Sequence, residues 1–126
     1  HKIMPGNKIL IVEDDKFLRG LIASKLAKEG FEVVEAVDGE DGVKKIPEAM
    51  PNLVLLDLLL PGIDGFEVLK QVKAIEAVKN IPVIILSNLG AKEDIEKGLS
   101  LGAIDFMVKA HFTPEEIIEK VRTSIK

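Results

Sequence analysis

The amino-acid sequence predicts an α/β fold, a single doubly wound (βα)5 domain built on a five-stranded parallel sheet. Three observations predict it: short uninterrupted apolar runs, helical spacing in the segments between them, and a length of 126 residues, that of one ordinary domain.

The first run, Ile9-Leu10-Ile11-Val12, is too short for a helix and lacks polar alternation, so it reads as a strand covered on both faces. Phe17, Leu18, Leu21, Ile22 and Leu26 then fall at helical spacing, and Gly30 supplies a stop after them. Phe31 to Val37 is a weaker second strand, and Asp38 is placed to cap a second helix. Pro47, with no N–H for the helical ladder, is expected to end or kink that helix after Ile46. Leu53-Val54-Leu55-Leu56 is the third strand. Asp64 then caps a third helix carrying Phe66, Leu69, Val72, Lys73 and Ile75. Val83-Ile84-Ile85-Leu86 is the fourth strand, Gly102 closes a fourth helix, and Ile104 to Val108 is a weaker fifth strand. The last helix is the best marked: Thr113 and Glu116 form a capping box, Pro114 fits the first helical position, and Ile117, Ile118, Val121 and Ile125 make its stripe. Residues 1–6 read as a disordered lead, or a remnant of how the chain was made, with the native start near Met4; residues 7–126 are left for the domain.

Composition narrows the chemistry. Lys and Arg number 17 against 21 Asp and Glu, a net charge of −4, which argues against direct nucleic-acid or anionic-membrane partners. Cysteine is absent, which excludes disulfides, thiolate catalysis and cysteine-bound metal centres. Only His1 and His111 could supply imidazole. No apolar run approaches the roughly 20 residues of a spanning helix, so a soluble cytoplasmic protein is expected. Hydrophobic residues make up 47% of the chain and aromatics, all Phe, only 4%, so aliphatic side chains must fill the core.

In parallel α/β sheets ligands bind beyond the carboxyl ends of the strands. The residues there are polar: Glu13, Asp14 and Asp15 after the first strand, Asp57 after the third, Ser87 and Asn88 after the fourth, Lys109 after the fifth. With the strand order 2-1-3-4-5, Glu13 and Asp14 lie beside Asp57. Two carboxylates about 4 Å apart repel by on the order of 4 kcal/mol at an effective dielectric of 20. A hard divalent cation would offset this, and a site of few carboxylates with room for water and phosphate oxygens suits magnesium, or manganese, better than calcium. With such an ion bound, a carboxylate can act as nucleophile on phosphorus, Lys109 supplies a cation and Ser87 a hydroxyl.

Four segments, Ile9 to Asp15, Leu55 to Gly65, Ile85 to Ser87 and Phe106 to Lys109, together resemble the receiver domain of two-component response regulators, of the flavodoxin-like, chemotaxis-regulator type. The resemblance covers essentially residues 8–126. It implies that Asp57 accepts a phosphoryl group from a sensor histidine kinase or phosphotransfer protein. It also implies that Asp14, Asp57 and the Leu59 carbonyl ligate the metal, with Glu13 acting through water. Lys109 would pair with phosphoryl oxygens, Ser87 would move towards them, and the rotamer of Phe106 would follow. The fourth helix, fifth strand and fifth helix would then bind a downstream effector or, on phosphorylation, a second copy of the chain. Such a domain is not an enzyme beyond catalysing its own phosphoryl transfer and dephosphorylation. One of them fills this length, so the signal is expected to leave through a surface.

Four positions depart from the family's pattern. Ala110 follows Lys109 where most receivers have a cis-linked proline; a cis bond before a non-proline residue costs about 2.5–4 kcal/mol, so a trans link and a rebuilt loop are expected. Asn88 is larger than the small residue usual there. Leu59 and Leu89, flanking the path of an attacking water, are both apolar, which would slow hydrolysis of the phosphoryl group. Asp15 reads as a helix cap rather than a ligand. Alternatives remain: a magnesium-dependent phosphatase, against which Leu59 stands where a second acid is needed; a flavodoxin-like cofactor carrier, for which the Glu13 loop lacks a phosphate cradle; and a pseudo-receiver binding partners without phosphorylation.

Overall fold

The computed structural model describes residues 7–125; the lead expected over residues 1–6 lies outside the described residues. Strands β1 (Lys8–Val12), β2 (Glu32–Ala36), β3 (Leu53–Leu56), β4 (Val83–Ser87) and β5 (Asp105–Val108) alternate with helices α1 (Lys16–Lys28), α2 (Gly39–Ala49), α3 (Gly65–Lys73), α4 (Lys92–Ser100) and α5 (Pro114–Ser124). All strand pairs are parallel, in the order β2-β1-β3-β4-β5 of a flavodoxin-like sheet.

Alternate residues of each apolar run serve opposite faces, which is why the runs carry no polar positions. Ile9, Ile11, Leu53, Leu55, Ile84 and Leu86 pack under Ile22 and Leu26 of α1 and Ile117 and Val121 of α5. Leu10, Val12, Val54, Leu56, Val83 and Ile85 pack under Ile46 of α2 and Val68, Leu69 and Val72 of α3. The caps fall as expected: Asp38 accepts from Asp41 N–H, Asp64 from Glu67 N–H, and Thr113 and Glu116 complete their box.

Three details differ from the sequence reading. Helix α2 runs through Pro47 to Ala49. Proline there removes one rung in the final turn; Ile46 is buried, and Met50, left-handed at φ 50°, closes the helix by donating to the Ile46 carbonyl. Phe17 is 81% exposed, because it lies about 140° around α1 from Ile22, on the far side from the sheet. Ile75 falls beyond the end of α3, though it still packs against the core.

The start of α3 sets the shape of the loop after β3. Gly65 N–H donates to the Leu58 carbonyl at 2.9 Å, and a Cβ at Gly65 would stand 2.1 Å from the Asp57 carbonyl oxygen. Only glycine permits that approach. Gly65→Ala is therefore expected to lower stability by about 1–3 kcal/mol or more. Gly20→Ala, in α1 with nothing within 4 Å of an added Cβ, should raise it by about 0.5–1 kcal/mol. Urea midpoints compare the two, and an undiminished midpoint for Gly65→Ala would contradict the steric argument.

Candidate functional site

The sheet order delivers the polar residues to one edge. Val12 of β1 pairs in register with Leu56 of β3, so the next residues, Glu13 and Asp57, emerge as neighbours. Asp57 N–H donates to the Val12 carbonyl at 3.0 Å and Glu13 N–H to the Ala36 carbonyl at 3.1 Å. Ser87, the last residue of β4, pairs with Val108, and Lys109 follows directly.

Glu13, Asp57 and Ser87 are buried at 3%, 4% and 0% exposure, while Asp14 is exposed. Lys109 Nζ stands 2.6 Å from Glu13 Oε1 and 2.9 Å from Asp57 Oδ2. The second oxygen of each carboxylate is held by backbone. Asp57 Oδ1 accepts from the N–H groups of Leu58 (2.7 Å) and Leu59 (3.3 Å), and Glu13 Oε2 accepts from Asp15 N–H at 3.0 Å. Glu13, Asp14 and Asp57 each offer a carboxylate oxygen within 4.8 Å of the other two. That donor set is all oxygen, crowded and anionic, with one ammonium against three acids, and it suits a hard divalent cation.

Burial is the main cause that pushes the Glu13 carboxyl up to about 7, and the nearby Asp57 charge adds to it, against the Lys109 and Asp15 hydrogen bonds. Burial alone would lower the Lys109 ammonium, but its bonds to Glu13 and Asp57 outweigh that and hold it above its ordinary value.

The other sequence-assigned residues lie as follows. Ser87 Oγ accepts from Leu89 N–H at 3.4 Å. Phe106 is half-buried opposite Ile85 on β5, against Gly98 of α4, where an added Cβ would come within 3.2 Å of its ring. Leu59 is 54% exposed and Leu89 packs partly against the core. Asp15 caps α1, accepting from Leu18 N–H, and stays outside the acid cluster; His111 is exposed. The described residues hold no cis peptide bond, so the Lys109–Ala110 link is trans; a 3-10 turn over Lys109–His111 replaces the proline loop, and Lys109 still reaches both acids.

Two features went unread in the sequence. The direct Glu13–Lys109 pair was one. The other is Arg19, whose Nη1 donates to the Glu13 carbonyl at 2.7 Å and whose Nε donates to Glu35 Oε1 at 3.0 Å. The available signal was a cation among the apolar positions of α1 and an acid, Glu35, opposite Ile11 in register on β2.

The sequence matches the family model for the response regulator receiver domain over residues 9–122. It is 35% identical over 121 residues to the phosphate regulon transcriptional regulatory protein PhoB of Escherichia coli K12, covering 96% of this chain and 52% of that protein. It is 36% identical over 119 residues to the DNA-binding dual master transcriptional regulator RpaA of Synechocystis, covering 94% and 49%. The chain thus spans about half the length of these curated relatives. Among solved structures, the receiver domain of the Francisella response regulator 1452 superposes with a TM-score of 0.85 at 31% identity, covering 93% and 94% of the two chains. The BeF3-activated N-terminal receiver domain of Klebsiella pneumoniae RstA gives 0.84 at 32%, covering 93% and 97%. No helix among the described residues is long and apolar enough to cross a membrane.

The Glu13 shift gives a pH test. Its folded-state value near 7 lies above the ordinary 4.5, so between these values the folded protein binds the proton more readily than the unfolded chain. The stabilising contribution is complete below about pH 4.5 and is lost as pH rises towards 7. In metal-free buffer the parent's urea midpoint should fall more steeply from pH 5 to 8 than that of Glu13→Gln. Equal slopes would contradict the assignment.

Proposed function

The chain belongs to the response regulator receiver domain family, and on that premise we propose that Asp57 accepts a phosphoryl group from a sensor histidine kinase or phosphotransfer protein in a magnesium-dependent reaction. The observation that carries this is the setting of Asp57: buried, one oxygen on Lys109, the other on backbone N–H groups, within reach of Glu13 and Asp14.

In this reading a carboxylate oxygen of Asp57 attacks phosphorus, an O–P bond forms, and the P–N bond of the donor phosphohistidine breaks. The imidazole leaves with the electron pair and takes a proton from solvent. Asp14, Asp57 and the Leu59 carbonyl would hold the ion, and Glu13 would act through water. Magnesium or manganese bound there supplies charge neutralisation for the transferred group. Lys109 passes from the Asp57 carboxylate to phosphoryl oxygens, and the Ser87 hydroxyl donates to them. The chemistry is confined to the chain's own phosphoryl transfer and hydrolysis.

The output reading places the switch on α4, β5 and α5. A groove of 320 Å³ on β5 and α5, lined by Phe106, Phe112 and Lys120 among others, supports it. So do Leu99 and Ile104, large apolar residues left 45% and 52% exposed. A downstream effector, or a second phosphorylated copy, would occupy that surface.

Incubation with magnesium and acetyl phosphate should add one phosphoryl group by intact mass, and Asp57→Asn should abolish it. An adduct surviving in Asp57→Asn would overturn the site. The apolar flank makes a second prediction: Leu59→Asn combined with Leu89→Glu should hasten dephosphorylation by roughly tenfold or more, since both add groups able to orient water. A decay rate equal to the parent's would remove Leu59 and Leu89 from the account.

A further inference from the structure

Among the described residues Arg19 makes no hydrogen bond or ion pair with Asp57 or Asp14, yet its side chain is only 12% exposed and bonds the backbone of the acid loop at Glu13. The Glu13 residue is held on both sides of its Cα. Its N–H is fixed by the sheet, on the Ala36 carbonyl, and its carbonyl is fixed by Arg19 Nη1 at 2.7 Å. That carbonyl belongs to the peptide joining Glu13 to Asp14. The peptide's orientation therefore sets where the exposed Asp14 side chain starts from, and Asp14 has no ion pair among the described residues to hold it.

We propose that Arg19 is a positioning residue for the cation seat: by holding the Glu13 carbonyl it fixes the Glu13–Asp14 peptide and so the two carboxylates on either side of it. The inference rests on the metal reading given above and adds a residue to it. Without the guanidinium, the Glu13 carbonyl has to find another donor, and the peptide is free to turn with Asp14 attached. The planar fork suits the task, since one side chain reaches a carbonyl and a carboxylate at once and stays charged. Glu35 aims the fork from β2, and its own backbone is tied by Lys45 Nζ, which donates to the Glu35 carbonyl at 2.8 Å. Glu35, 44% exposed, is screened by solvent, so its ion pair with Arg19 adds only modestly to stability. Its loss should therefore show in metal binding before it shows in folding.

Mn2+ is the probe, titrated into the full chain and followed by the electron paramagnetic resonance signal of the free ion, beside urea midpoints in metal-free buffer. Arg19→Met should weaken Mn2+ binding about tenfold or more, as losing partners that orient metal ligands commonly does, with the metal-free midpoint close to the parent's. Glu35→Gln, which leaves the guanidinium in place but less firmly aimed, should weaken it by a smaller factor. Arg19→Met affinity within twofold of the parent's would overturn the proposal, as would a loss in a folded variant that is matched by an equal fall in its metal-free stability. If Arg19→Met does not fold, Glu35→Gln decides: unchanged Mn2+ affinity overturns it. A parent that fails to bind Mn2+ would instead refute the metal seat, a separate outcome.

Discussion

Two buried carboxylates share one ammonium, and the rest of the site is arranged around that imbalance. Glu13 and Asp57 both contact Lys109 Nζ, at 2.6 and 2.9 Å, in a setting that excludes most water. A buried charge is costly unless paired and hydrogen-bonded. Each carboxylate here meets the requirement with one oxygen on lysine and the other on backbone N–H groups. The pairing leaves one net negative charge between the two acids, and Asp14 adds another nearby. Burial pushes the Glu13 carboxyl up to about 7, and the nearby Asp57 charge adds to that. A divalent cation would relieve the surplus negative charge, and an incoming phosphoryl group could approach only once it was relieved.

The fold makes this crowding unavoidable. Because β1 lies between β2 and β3, the residues leaving β1 and β3 emerge together at the point where the chain reverses its direction across the sheet. Val12 and Leu56 are paired in register and wholly buried, so Glu13 and Asp57 cannot retreat into solvent without breaking the sheet edge. Gly65 then draws α3 against the Asp57 carbonyl, which closes the loop carrying Leu58 and Leu59. Backbone geometry, more than side-chain preference, brings the donors to Asp57 Oδ1.

Much of this was legible in the sequence because the relevant signals are local or follow from strand order. Uninterrupted aliphatic runs announce a sheet buried on both faces, and parallel pairing then says which strand ends are neighbours. Pro47 misled because a rule for helix interiors was applied to a last turn, where one missing rung is cheap. Phe17 misled because spacing alone assigned it to a stripe that the sheet contacts only from Leu18 onwards. Ala110, joined to Lys109 by a trans bond, sits in a 3-10 turn, and Lys109 still reaches both acids. Arg19 was illegible for a different reason: its partner is a carbonyl, and every residue has one.

The same structure is unevenly anchored, and the unevenness bears on how a change at Asp57 would spread. Helices α1 and α5 bury Ile22, Leu26, Ile117, Ile118 and Val121 and are cross-tied by Lys25 to Glu115 and Arg122 to Glu29. Helix α4 buries only Gly98 and has no side-chain cap at Ala91; Lys97, 4.4 Å over the Phe66 ring, reaches from it to α3. Regions with few buried apolar contacts open and shift at the least cost. Gly98 is also the residue against which Ile85, on the same strand as Ser87, and Phe106, on the neighbouring strand, pack. Any rearrangement of Ser87 and Phe106 that followed phosphoryl transfer would thus meet the helix with the least to lose. In a two-state element the direction of response is set by which contacts are cheapest to exchange, and the most sparsely buried helix beside β5 is α4.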